Sequence, residues 1–273
     1  MRLSITLTTA LYPRGQFVQW TVLDATESGA YLFRLERSGS PEGPWALVMS
    51  DTPDQYAVRD LLTDGVTTDT YTPPNELTFY NNIFYKVTCK TPSGALLTDV
   101  AETGDRRLDR VTSRNHRKLQ RDFRLSLKYN GTPYLLFKRR RWGVRCPRCY
   151  DAKTQRVVRA DCRECWGTGF EEGYWKPTLT AGRRTVNANS TAITPEAKAD
   201  SNEVRFWFPD FPTLERDDML VSLKSQRRYR LDQQVDTELK LVGVHQVVTC
   251  QEIDKDHIFY RMPADPTTLN PLF

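Results

Sequence analysis

Cys146-Pro-Arg-Cys149-Tyr-Asp and, with twelve residues between the pairs, Cys162-Arg-Glu-Cys165-Trp-Gly167-Thr-Gly169-Phe place two C-x2-C pairs in one stretch of chain. Each pair puts two thiolates on one tight turn, and two such turns complete a four-sulfur tetrahedral shell. Gly167 and Gly169 let the chain leave the second turn at dihedrals that other residues resist. Between the pairs, Lys153 to Arg159 suits a small hairpin. Arg145, Arg148, Lys153 and Arg163 would offset the charge of four thiolates around a divalent ion. The reading is one structural Zn2+ on Cys146, Cys149, Cys162 and Cys165, with iron or two disulfides as the other readings. Four thiolates leave no position for water, so hydrolytic metal chemistry is not expected. A segment of this size cannot build a core, and the ion would supply its folding free energy.

The remaining cysteines, Cys89 and Cys250, stand alone in alternating apolar segments and read as buried thiols. This usage suits a reducing compartment and a metal site. The chain has 273 residues, enough for two domains and a small third. With 39% hydrophobic and 27% charged residues it reads as globular and not disordered. No apolar run approaches the roughly 20 residues that cross a bilayer. Met1 to Ala10 alternates like a strand, so no signal peptide is expected.

Ahead of the cysteines, residues 1–101 carry short runs of period two. They are Leu3–Thr9, Phe17–Leu23, Tyr31–Arg37, Trp45–Val48, Tyr56–Val58, Thr68–Tyr71, Phe84–Cys89 and Leu96–Val100, separated by Gly, Pro and Asp turns. This spacing predicts an antiparallel sandwich. A helix is predicted from Asp105 to Lys128, within a basic linker of residues 102–133. Leu108, Val111, Leu119, Phe123 and Leu127 form its apolar stripe, and His116 reads as a surface residue.

Residues 101–165 hold 19 Lys and Arg against 7 Asp and Glu, a net of +12, while the other 208 residues net −7. Such asymmetry is a statement about partners. Candidate contacts with acidic protein or with phosphates are Arg114, Arg117, Lys118, Arg121 and Arg124 on the helix, then Lys138, Arg139, Arg140 and Arg141. Trp142 beside these last cations would suit base stacking or one solvated edge of the next element.

Tyr134 to Phe137 reads as a strand opening the cysteine segment, taken as residues 134–177. Residues 178–273 read as a small β-barrel-like domain. Its strands are expected at Glu203–Phe208, Arg227–Leu231, Val242–Val248 and Ile258–Arg261, with Thr180 to Lys198 a strand and a long loop. Asp217 and Asp218 are adjacent carboxylates without an accompanying base or nucleophile motif. His245 and His257 read as a strand residue and a turn residue. G-x-S-x-G, a P-loop, a dinucleotide fingerprint and H-E-x-x-H are all missing, so no enzyme and no small-molecule substrate are expected.

The N-terminal segment resembles a fibronectin type III module of the immunoglobulin-like kind, on Trp20, the Gly43-Pro-Trp45 turn, Tyr85 and the Ser93-Gly94 hairpin. The cysteine run through Gly173-Tyr-Trp175-Lys-Pro177 is similar to a zinc-containing segment of tailed-bacteriophage structural proteins. Arg205-Phe-Trp-Phe-Pro-Asp, Asp217-Asp-Met-Leu-Val and Arg228-Tyr-Arg resemble head-to-tail joining proteins of the neck. The knuckles are also similar to the C-x2-C-x-G-x-G repeats of a class of co-chaperones, but only two occur and the J-type helical domain is missing. The phage resemblance implies a virion protein, made in the bacterial host cytoplasm, whose copies form a ring or collar. Its partners would be neck, portal or tail proteins, with non-specific contact to packaged DNA. A nucleic-acid-binding protein using the cysteine segment as a zinc ribbon, together with the basic helix, is the alternative, and a tail or baseplate subunit the second.

Overall fold

The computed structural model describes residues 1–10, 16–25, 27, 29–60, 83–103, 110–154, 156–185, 191–194, 197–200, 203–239 and 242–266. The chain is mainly β. In the N-terminal part, β1 (Arg2–Ala10), β2 (Gln16–Leu23) and β5 (Ala57–Asp60) form one antiparallel sheet in the order β1-β2-β5. A second has the order β4-β3-β6-β7, from β3 (Leu32–Ser38), β4 (Ala46–Pro53), β6 (Phe84–Lys90) and β7 (Leu96–Glu102). The expected strand at Thr68–Tyr71 lies outside the described residues.

The period-two patterning gives both sheets one buried cluster: Phe17, Trp20, Phe33, Leu35, Tyr85 and Val87 with the Cys89 thiol. Trp20 Nε1 donates to the Gln55 carbonyl at 3.0 Å, which satisfies its one polar atom. Buried Asp60 accepts from the Tyr85 hydroxyl at 2.8 Å and from Arg37 at 2.9 Å, so a polar lock joins β5 to β3 and β6.

The single described helix, α1 (Arg110–Asn130), stops where the Gly131 N–H bonds the Leu127 carbonyl at 2.7 Å. Residues 105–109 of the expected helix lie outside the described residues. Among the described residues, no helix is long and apolar enough to cross a membrane.

Six strands close a barrel in the order β11-β14-β17-β16-β15-β8: β8 (Thr132–Phe137), β11 (Thr178–Thr185), β14 (Glu203–Pro209), β15 (Met219–Ser222), β16 (Arg228–Leu239) and β17 (Val242–Glu252). β8, expected to open the cysteine segment, is a barrel strand paired to β11 and β15. Its continuous apolar run follows from burial on both faces. Tyr134 and Leu136 fill the barrel with Phe206, Phe208, Tyr229 and Leu231, while Leu135 and Phe137 pack outward with Met219, Phe259 and Met262. The cysteine segment is therefore a lobe inserted between two neighbouring barrel strands. Ile258–Arg261, expected as a strand, is a 3-10 turn that lays Phe259 on the barrel's outside. Where a strand and a long loop were expected from Thr180 to Lys198, the strand is the end of β11, and the described residues beyond it form β12 (Thr191–Thr194) and β13 (Ala197–Asp200), a two-stranded ribbon outside the barrel.

The parts are joined by aromatic packing. Trp142 and Trp175, one at each end of the lobe, lie 4.9 Å apart inside the N-terminal cluster. Trp142 packs edge-on against Tyr31 and Phe33, Trp175 packs on Tyr56, and Phe211 meets Phe17 at 4.5 Å. The base-stacking role open to Trp142 in the sequence is thus ruled out by its burial. Trp175→Ala is expected to cost about 3–5 kcal/mol. Hydrogen exchange should show the N-terminal sheets and β8–β11 losing protection together. Loss confined to one of them would mean the joint carries no coupling.

Candidate metal centre and basic surface

The lobe is built on a short antiparallel stem. Trp175 N–H bonds the Lys138 carbonyl, Arg140 N–H that of Gly173, and Cys146 N–H that of Gly169. Beyond the stem, β9 (Tyr150–Asp151) and β10 (Arg156–Val157) pair as the expected small hairpin. The Arg145 guanidinium lies over the Tyr150 and Phe170 rings at 4.5 and 4.2 Å. Gly173 has φ 69°, and a Cβ there would strike the Cys165 carbonyl, so glycine is needed for close packing as well as dihedral.

This scaffold brings all four expected cysteines together. Their Sγ atoms lie within 4.8 Å of one another, and every one is buried. Cys146 and Cys162 thiols are 3.8 Å apart and those of Cys149 and Cys165 2.9 Å, so no disulfide joins them. A tetrahedral ion with bonds of about 2.3 Å needs sulfurs about 3.8 Å apart, a spacing the first pair has. Burial pushes the Cys146 and Cys149 thiols up. Burial also opposes ionisation of Cys162, but the Cys165 and Glu164 amides outweigh it and bring that thiol down to about 7. The four buried sulfurs form a donor set that could hold one metal ion.

The basic candidates divide into two groups. Lys138 is buried, with its ammonium 3.1 Å from both Asp218 and Glu215 and 2.9 Å from the Thr213 carbonyl. Asp218 is fully buried and accepts the Arg139 and Glu215 amides, so this carboxylate ties β8 to the turn before β15. Burial raises its pKa, while Lys138 and the amides hold it down. Arg139 pairs with Asp217, Arg140 pairs with Glu172 and stacks on Trp175, and Arg141 pairs with Glu215. The cations at 138–141 thus hold the lobe to the barrel.

On α1, Arg121 pairs with Asp122, Arg124 reaches buried Asp210 at 3.6 Å, Arg117 is half-buried, and Arg114 and Lys118 are exposed. His116 is fully buried, contrary to the surface role expected for it, and its Nε2 donates to the Gly243 carbonyl at 2.8 Å. Gln120 donates to that carbonyl and to Asp210. The helix therefore docks through His116 and Gln120 together with Phe123 and Leu127 of the expected stripe, while Val111 and Leu119 of that stripe are exposed. Polar side chains with partners on the barrel thus share the docking face with part of the apolar pattern. No sequence signal pointed to Asp210.

No family model matches the chain, and no curated protein is similar to it.

Removing the metal with a chelator, or Cys165→Ser, is expected to release one ion per chain and open the lobe to protease, read by metal content and digestion. The helix dock should respond to pH. Burial lifts the Asp210 carboxyl to about 7, against the pull of Arg124 and Gln120. The unfolded chain titrates there near about 4. Asp210's stabilisation is therefore full below about 4 and lost as pH rises toward about 7. His116 has the opposite sign, because burial lowers its pKa and stability falls as pH drops below about 6.5. Asp210→Asn should remove the Asp210 share of the loss between about 4 and 7, seen as a shallower fall of the urea midpoint than in wild type, and leave the His116 component.

Proposed function

We propose that this chain is a non-catalytic structural subunit of a tailed-bacteriophage particle, seated in the neck near the head-to-tail connector and assembled as a ring. The N-terminal sheets are read as a fibronectin type III-like sandwich and the cysteine lobe as a zinc ribbon with one structural Zn2+. The observation that carries the reading is the joint. Trp142 and Trp175 fill the N-terminal core, and the cations from Lys138 to Arg141 are spent inside the chain. Such a chain suits mechanical placement of its parts.

The ribbon β12–β13 supports assembly. It pairs with no other described strand, and an isolated two-stranded ribbon is marginal in water, so a neighbouring subunit would supply its packing. The particular assignment to the neck rests on the resemblance of the Arg205–Asp210 and Asp217–Val221 segments to joining proteins.

Native mass and metal content of the same sample test this. The expected result is one zinc per chain and a ring, either alone or on adding purified virion partners. A persistent monomer that binds duplex DNA with a steep salt dependence would replace it with the nucleic-acid reading.

A further inference from the structure

Strand β14 alternates cleanly: Phe206 and Phe208 fill the barrel, while Arg205 and Trp207 point out. Trp207 is 37% exposed, on a face where the other large rings of the barrel are covered. Its indole stacks on His245 of β17 at 5.0 Å and 19°, and His245 stacks on Phe123 of α1 at 4.8 Å and 21°. Three parallel rings thus run from the helix onto the sheet and end at Trp207. Among the described residues, the indole has no second ring partner and no cation over it.

The cations beside this ladder are uncommitted. Arg183 of β11 sits directly across from Trp207 in the antiparallel register, so it shares the outward face at about 5 Å between Cβ atoms. Arg205 lies two residues along β14 on that face, about 7 Å away. Both are exposed, and neither has an acidic partner among the described residues. In contrast, the cations at 138–141 are all paired.

A flat ring end flanked by two free guanidinia at nucleotide-scale spacing matches one ligand chemistry, an unpaired base with its neighbouring phosphates. We propose that Trp207, backed by His245 and Phe123 and flanked by Arg183 and Arg205, binds single-stranded nucleic acid. The base stacks on the open indole face and the arginines take the phosphates. A duplex keeps its bases stacked inside and offers this site only phosphates. The site lies away from the cysteine lobe and does not depend on ring assembly or on zinc.

The test uses the full-length, metal-replete protein and fluorescence anisotropy of a labelled oligothymidylate, with an abasic oligomer, a DNA duplex and oligoglutamate as comparisons. Wild type is expected to bind oligothymidylate at least about tenfold more tightly than the abasic strand. Trp207→Ala should remove that preference, Trp207→Phe should keep most of it, and duplex binding should change little in either. Arg183→Gln with Arg205→Gln should lower the salt slope by about 1.4, at about 0.7 per phosphate contact on a single strand. Circular dichroism and metal content establish that each variant is folded, and the arginine pair and Trp207→Phe give the answer if Trp207→Ala is not. Absence of oligothymidylate binding, or binding indifferent to bases and to Trp207, overturns the proposal. So does oligoglutamate binding more tightly with the same dependence on Trp207, which would make the site a dock for acidic protein.

Discussion

The burial of two indoles from the ends of one insertion inside the core of another module is the constraint on which the remaining architecture depends. Trp142 and Trp175 are 4.9 Å apart, and the stem hydrogen bonds between Lys138 and Trp175 hold them at that spacing. Each large ring carries a great deal of apolar area, so moving the N-terminal sheets off the lobe would expose both at once. The stem continues directly into β8 and β11, which are hydrogen-bonded neighbours in the barrel. An insertion of this kind has little freedom to act as a hinge, because its root is shared by three cores.

Electrostatics follow from the same root. The Lys138–Asp218 pair is almost dry, and in that setting a removed partner leaves a buried charge while the intact pair gains little net stability. Its value is positional: Asp218 collects the Arg139 and Glu215 amides as well, so the chain before β15 has one way to lie against β8. The run from Lys138 to Arg141 within the basic middle segment is therefore internal structure. Exposed cations without an acidic partner among the described residues lie on other surfaces, among them Arg114 and Lys118 on α1, Lys153 and Arg163 on the lobe, and Arg183 and Arg205 on the barrel.

How far the sequence could be read depended on whether the deciding interaction was local. C-x2-C spacing is local, and the four cysteines converge as the spacing implies. Period-two alternation is local too, and it placed most strands to within a few residues. The helix was legible as an element but its buried face only in part, since His116 and Gln120 owe their burial to the Gly243 carbonyl and Asp210, ninety or more residues away in sequence. Lys138 to Trp142 misled for the same reason. A run of cations ending in an aromatic reads as surface until Asp218, Glu215 and the N-terminal core are brought to it. The ring ladder at Trp207 needed three elements to be assembled before it existed.

The cysteine centre and the tryptophan wedge work in series, and this order matters more than either alone. The wedge fixes the stem, but past Val144 the lobe has few apolar side chains inside; its buried cluster is the four cysteines. Without an ion, burial disfavours the thiolates at Cys146 and Cys149, and beyond the stem the lobe would rest on short turns, the two-residue β9–β10 pairing and the Arg145 ring stack. With one, the thiolates become bonds, and Gly173 lets the second knuckle close onto the stem. Rigidity then runs from the N-terminal core through the stem to the lobe's tip. A closed four-sulfur shell suits this task, since it leaves the ion no vacancy for chemistry and every coordination bond for mechanical connection.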